Sequence, residues 1–196
     1  MEPNHDDKLV ARYRAGDLAA FDELIARHKT GLFSYLRSMV GSKEDAEDLL
    51  QETFLRVIAA LPRYRAQGKF RAWIYRIARN LAHDRARKRA VAGVPLRLAT
   101  CNSAEAESGS VVFDLPGAGP NPRDAAMAQE KREWIENVIQ DLPEAQKEVF
   151  VLREYSGMPF KEIAALQRRP IGTVLARMHY ALDKLRTGLE EERESY

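Results

Sequence analysis

Phe70-Arg71-Ala72-Trp73-Ile74-Tyr75-Arg76-Ile77-Ala78-Arg79-Asn80-Leu81 is the stretch on which the reading of this chain turns. Phe70, Trp73, Ile74, Ile77, Ala78 and Leu81 recur at i, i+3, i+4, i+7, i+8 and i+11. That spacing lays one apolar stripe along a helix, and the stripe must be covered by other helices. Arg76, Arg79, Asn80, His83 and Arg87 fall on the opposite side. The segment predicts an amphipathic helix with a core side and a cationic side.

Working outward, the same logic repeats. Ser42 with Asp45 three residues later is a capping-box pattern. It opens a helix with Leu49, Leu50, Phe54, Val57, Ile58 and Leu61 apolar, stopped by Pro62. Earlier, Asp17 follows Gly16 and can cap a helix carrying Phe21, Leu24, Ile25, His28, Leu32 and Leu36. After residue 90 the composition changes to VAGVPLRLATCNSAEAESGSVVFDLPGAGPNPRD, which keeps no helical period. It reads as a linker of about 35 residues whose patch Val111-Val112-Phe113 could pack on a partner or on a domain. Beyond it, Trp134, Val138 and Ile139 mark one helix, and Gln146, Val149, Phe150 and Leu152 a second after Leu142-Pro143-Glu144. A short third helix carries Phe160, Ile163, Ala164 and Leu166. The core side of a fourth is Ile171, Val174, Met178, Ala181, Leu182 and Leu185, followed by an acidic end at 190–194 that reads as frayed. The prediction is an all-α chain: two small helical domains, residues 1–92 and 126–196, joined by a long irregular linker at 93–125. The third and fourth helices of the C-terminal domain form a helix-turn-helix.

Composition narrows the function. The 196 residues carry 31 Lys+Arg against 29 Asp+Glu, so net charge says little and its placement matters. One cysteine, Cys101, excludes an intrachain disulfide framework and a thiolate-rich zinc site. It could sense oxidants or be incidental. No run approaches the ~18 apolar residues of a membrane span, and the polar start MEPNHDDKLV carries no secretory signal. The expectation is a cytoplasmic protein without membrane insertion. The four histidines are scattered, with no Gly-rich phosphate loop and no nucleophile elbow. No catalytic residue, metal site or cofactor is expected, and a non-enzyme is predicted.

Charge is sorted along the chain. Between residues 62 and 90 ten basic side chains face one acid, Asp84. Such a face suits phosphates, and nearby aromatic rings suit unpaired bases, although a solvated helix surface is the bland alternative. Just upstream the sign reverses: Glu44, Asp45, Glu47, Asp48 and Glu52 face only Lys43. The helix dipole accounts for the first acids but not for Asp48 and Glu52, which lie deeper and share a face. An acidic face there suits a protein partner. In the C-terminal half, Arg168 and Arg169 sit in the turn before Pro170, and the next helix presents Thr173, Arg177, Tyr180 and Lys184 away from its apolar side. A second helix of this kind reads the major groove while the turn holds the backbone.

These motifs together resemble the extracytoplasmic-function (group IV) sigma factors of bacterial RNA polymerase. Asp45-Ala46-Glu47-Asp48-Leu49-Leu50-Gln51-Glu52-Thr53-Phe54-Leu55-Arg56-Val57 looks like their polymerase-binding helix. The segment from Phe70 to Asn80 looks like their promoter-melting and −10-reading helix. Leu142-Pro143, Glu162-Ile163-Ala164 and Gly172-Thr173-Val174 look like their −35-reading domain. The resemblance covers residues 8 to 188. It implies that Asp45, Asp48, Gln51, Glu52 and Arg56 dock on core RNA polymerase, through its largest and second-largest subunits. It implies that Arg63, Tyr64, Arg65, Lys69, Phe70, Arg71, Arg76, Arg79, Asn80, His83 and Arg87 hold a single-stranded −10 element, with a base extruded into a pocket at a cost of a few kcal/mol. Asn80 is then a candidate base reader, or else a solvent-facing residue. Arg168, Arg169, Thr173, Leu175, Ala176, Arg177, Tyr180 and Lys184 would meet duplex −35 DNA. The linker would follow the polymerase's active-site and RNA-exit channel, and an anti-sigma protein would restrain the whole. A stand-alone helix-turn-helix regulator is the alternative reading.

The reading helix departs from the family pattern. Leu175-Ala176-Arg177 replaces a basic residue followed by Ser-Arg, Tyr180 and Leu182 stand where Arg is frequent, and Arg168 replaces the turn glycine. Leu175 could meet a thymine methyl or pack on a partner protein. Arg177→Ala should weaken binding to −35 duplex DNA in a gel-shift titration; an unchanged affinity removes Arg177 from the DNA face.

Overall fold

The computed structural model describes residues 5–91 and 137–194, which are helical with no strand among them. The first bundle is α1 (His5–Arg14), α2 (Leu18–Val40), α3 (Lys43–Ala60) and α4 (Phe70–Val91). A helical stretch at 137–140 leads to the second, α5 (Glu144–Glu154), α6 (Phe160–Gln167) and α7 (Ile171–Glu194). The linker reading, its boundaries, Cys101, the Val111–Phe113 patch and Trp134 lie outside the described residues.

The caps act as the sequence predicts. The Asp17 side chain accepts from the Ala20 N–H at the start of α2, and Ser42 accepts from the Asp45 N–H at the start of α3. Between α2 and α3 stands Gly41 at φ 75°, a left-handed position that glycine takes without a Cβ penalty. Leu61-Pro62-Arg63 forms a single 3-10 turn that ends α3, with Leu61 fully buried. On α3 the predicted stripe holds except at Ile58, which faces solvent along with Leu55.

Helix α1 was hidden in a polar N-terminus. It buries Leu9 and Val10, and also two aspartates. Asp6 lies 3.1 Å from both His28 Nε2 and Arg27 Nε. Burial would raise its carboxyl, but hydrogen bonding and charge from His28, with Arg27 and Arg71, outweigh this and hold it low. Asp7 accepts from the Tyr64 hydroxyl at 3.0 Å and from the Gly68 N–H at 2.6 Å. Asp7 thereby ties the loop at 64–69 to the bundle, because a buried carboxylate must find donors.

In the second bundle, Val174, Met178 and Ala181 are buried and Leu185 partly so. Ile171 and Leu182, expected on the same side, are 42% and 45% exposed. The spacing Val174–Met178–Ala181–Leu185 already makes a full stripe over α5 and the short α6, and Ile171 and Leu182 fall at its edge. The chain stays helical to Glu194 rather than fraying at 190. The turn between α6 and α7 holds Arg168 at φ 54°, ψ 47°, and its N–H bonds back to Ala165 O. The two bundles pack directly on each other, α2 against α5 and α4 against α6, and their apolar side chains join one buried cluster.

A side chain in the left-handed region costs about 1 kcal/mol or more relative to glycine. Arg168→Gly should therefore raise the free energy of unfolding by about 0.5–1 kcal/mol in a urea titration.

Candidate nucleic-acid and protein interfaces

The acidic patch on α3 divides into two. Asp45 is 8% exposed and turns inward: its carboxylate accepts from Arg85 Nη1 at 2.7 Å and from Arg89 Nη2. It clamps the first turn of α3 to the far end of α4. The expectation that Asp45 meets a partner is corrected, because its acceptor oxygens are occupied within the bundle. Glu47, Asp48 and Gln51 face outward, and Glu52 is half-exposed with Arg56 paired to it at 2.6 Å. Beside them stands Leu55, 66% exposed. Acids and apolar side chains thus share one open ridge. A groove runs beside it between Leu49, Arg56, Leu81 and Lys88.

The aromatic residues at the start of α4 form a base rather than a stacking surface. Phe70 is fully buried and Tyr64 nearly so. The Tyr64 ring lies 4.8 Å from Trp73 and 5.5 Å from Phe70, edge-on to the latter. Tyr64 and Phe70 thus turn their rings into the core, where edge-on and tilted contacts among three rings bury apolar surface and leave little ring face to offer a base. What this base carries outward is charge. Arg63, Arg65, Lys69, Arg76, Asn80 and Arg87 are exposed, with Arg87 paired to Asp84 at 2.7 Å.

Three further side chains of the cationic face turn toward the second bundle. Arg71 Nη1 donates to the Gly157 carbonyl at 3.3 Å. Arg79 Nε donates to Glu148 Oε1 at 2.6 Å, and its Nη2 reaches Oε2 at 3.4 Å. His83 Nε2 lies 3.6 Å from Glu148 Oε1, an ion-pair distance rather than a hydrogen bond, and its Nδ1 lies 3.9 Å from Glu144. Glu148 also accepts from the Tyr35 hydroxyl at 3.1 Å and from Gln167 Nε2 at 2.8 Å. Burial alone would raise the Glu148 carboxyl, but His83 and Arg79 outweigh it and hold it below the ordinary carboxylate range. In return Glu148 raises His83 above its ordinary value, against the effect of burial.

The helix-turn-helix presents Arg168, Arg169, Leu175, Ala176, Tyr180 and Lys184 to solvent, with Thr173 half-buried. Lys184 Nζ donates to the Asp141 carbonyl at 2.7 Å. Arg177 is half-buried and donates to Gln167 Oε1 at 2.9 Å. Sequence reasoning missed Glu148, Gln167, Tyr35 and Asp7. Glu148 left one trace: a charged residue on the same face as Val151 and Leu152 of α5. Nothing local named its partners.

The Sigma-70 region 2 family matches residues 24–91, and the Sigma-70, region 4 family matches residues 132–185. The ECF RNA polymerase sigma-E factor of Escherichia coli K12 is 30% identical over 180 residues, covering 92% of each chain. This chain belongs to the extracytoplasmic-function sigma factors. Such a factor directs transcription initiation with RNA polymerase and binds DNA; it is not an enzyme. The stand-alone regulator reading is thereby set aside. CnrH, solved with the cytosolic domain of CnrY, aligns over 95% of this sigma factor and 97% of its own chain, with TM-score 0.64 and 26% identity. The sigma factor RpoE of Bartonella quintana, solved with the anti-sigma factor NepR, shares the fold over 87% of this chain and 96% of its own, with TM-score 0.66 and 21% identity. Among the described residues no helix is long and apolar enough to cross a membrane.

The His83 shift sets a sign for pH. A histidine raised above its ordinary 6.5 stabilises the structure in full below that value and loses the contribution as pH rises through the raised one. Solvent access at 42% keeps the effect small. The thermal midpoint of the wild type minus that of His83→Gln should be larger at pH 6 than at pH 9.

Proposed function

We propose that this sigma factor grips core RNA polymerase with the outer ridge of α3 and holds the −10 element as a single strand on the loop at 62–69 and the outer face of α4. The −35 duplex is read by α6 and α7. The observation that carries the reading is the split of charge across adjacent helices. Glu47, Asp48 and Glu52 stand on α3 next to exposed Leu55, a combination suited to a basic, partly apolar protein surface and hostile to DNA. The ridge would meet the largest and second-largest polymerase subunits. On α4, Arg76 and Asn80 stand on a rigid aromatic base with Arg63, Arg65 and Lys69 beside it. Cations there hold phosphates, and Asn80 can offer its amide to a base edge.

For the second domain, Arg168 is the left-handed residue of the turn and Arg169 follows it, both exposed and suited to backbone phosphates. Leu175 and Ala176 stand on the first turns of α7 and favour a thymine methyl over a guanine edge. The relative RpoE is solved with an anti-sigma factor. A protein of that kind is proposed to hold this sigma factor inactive in the cytoplasm.

Asp48→Lys combined with Glu52→Lys tests the ridge. Both positions lie on the surface, so the circular dichroism melt should not move by more than a few degrees. Affinity for core polymerase in a co-elution or fluorescence titration should fall about tenfold or more. Unchanged affinity would remove α3 as the docking helix.

A further inference from the structure

We propose that Glu148 is the catch of an intramolecular lock: in the free chain the second domain covers one flank of α4, and the second domain and single-stranded DNA compete for Arg79, Arg71 and His83. The proposal deepens the reading of α4 as the strand-binding helix and rests on it.

Three observations converge on the seam between the domains. The first is occupancy. Arg79 commits two nitrogens to the Glu148 carboxylate, and Arg71 commits one to the Gly157 carbonyl. The Nε–Nη2 side of the Arg79 fork, held by Glu148, cannot also clasp a phosphate, whereas Arg71 gives up one of its five N–H donors. Glu148 stands where a phosphate would stand.

The second is fit. Gly31 on α2 seats the turn after α5 so closely that a Cβ there would meet the Tyr155 carbonyl oxygen at 2.9 Å and the Tyr75 hydroxyl at 2.7 Å. A backbone carbonyl cannot step aside as a side-chain tip can. The docked arrangement therefore uses the absence of a side chain at this one position.

The third is reversibility. The apolar part of the seam belongs to the shared buried cluster, but polar contacts border it and leave a cleft of about 90 Å³ among Arg27, Arg71, Tyr155 and Ser156. When the domains part, Glu148 regains water and Arg79 regains an anion from DNA, so opening exchanges one charge pair for another. The same carboxylate accepts from Gln167, which accepts from Arg177 of α7, so the lock holds side chains from both DNA-facing helices in one network.

Two variants test this on the full chain. Glu148→Gln removes the charge and keeps the shape; Gly31→Ala leaves every charge in place and blocks the seat. Small-angle scattering reads docking, and fluorescence anisotropy with a labelled mixed-sequence 20-nucleotide single strand reads the freed face. Each variant should increase the radius of gyration by several ångströms over the wild type, and each should tighten the strand about five- to tenfold as the competent state becomes populated. If Glu148→Gln loses helicity, Gly31→Ala carries the test. The lock is overturned if the wild type is already as extended as the variants, or if the variants expand without binding the strand more tightly. Arg76→Ala, placed in the Glu148→Gln background, separates the two readings, since Arg76 takes no part in the seam. A loss of strand affinity there, with no tightening from Glu148→Gln alone, leaves α4 as the strand-binding helix and sinks the lock. No loss there, with expansion intact, sinks α4 as the strand-binding helix and takes the competition with it.

Discussion

A carboxylate taken out of water must be surrounded by donors, and the Glu148 side chain, 6% exposed, organises the molecule around that requirement. Arg79, Tyr35 and Gln167 supply hydrogen bonds from α4, α2 and the end of α6. Desolvation of such a group costs several kcal/mol, and only well-aimed partners offset it. The two bundles are therefore held in register by direction-specific contacts, where apolar contact alone would let them slide. The arrangement also explains why Tyr35 is fully buried yet polar at its tip: its hydroxyl gives up water for a charged acceptor, and that burial raises its own ionisation well above the ordinary phenol value.

The same rule governs the first bundle. Asp45, Asp6 and Asp7 are all buried, and each is enclosed by cations or N–H and O–H donors. Asp45 fixes α3 against α4, so the acidic ridge and the cationic face keep a constant spacing. Asp7 fixes the loop before α4, so Lys69 and Arg65 project from an anchored backbone. Acids in this sigma factor thus serve two ends. Those inside brace the helices and the loop before α4, and those left outside, Glu47, Asp48 and Glu52, make the open ridge proposed to meet another protein, with Glu52 paired to Arg56. Arg85 and Arg89 turn to the inner Asp45, with Arg85 reaching the outer Asp48 at 4.0 Å, so the ridge keeps most of its negative charge beside the cationic face.

Much of the architecture was legible because it depends on short spacings. The stripe from Phe70 to Leu81, the cap at Ser42 and the stop at Pro62 are local events, settled within a few residues by helix geometry and hydrogen-bonding need. The extracytoplasmic-function character was legible for the same reason, since its motifs are runs of adjacent residues in a fixed order. Individual site residues were less so. Tyr64 and Phe70 sit in the right segment, yet their rings close the core, and Asp45 sits in the right cluster but faces inward. A sequence shows which side chains share a helix face. It does not show which face a distant helix will cover.

By itself, then, the sequence determined the helices, their caps, the order of the domains and the sorting of charge, because each follows from contacts between residues close in the chain. Tertiary structure alone decided that Glu148 meets Arg79, 69 residues away, that Asp7 holds Tyr64, and that Gly31 admits the turn at Tyr155. Those pairings arise from how whole helices pack, and a buried charge finds its partner only after the apolar faces have set where the helices lie.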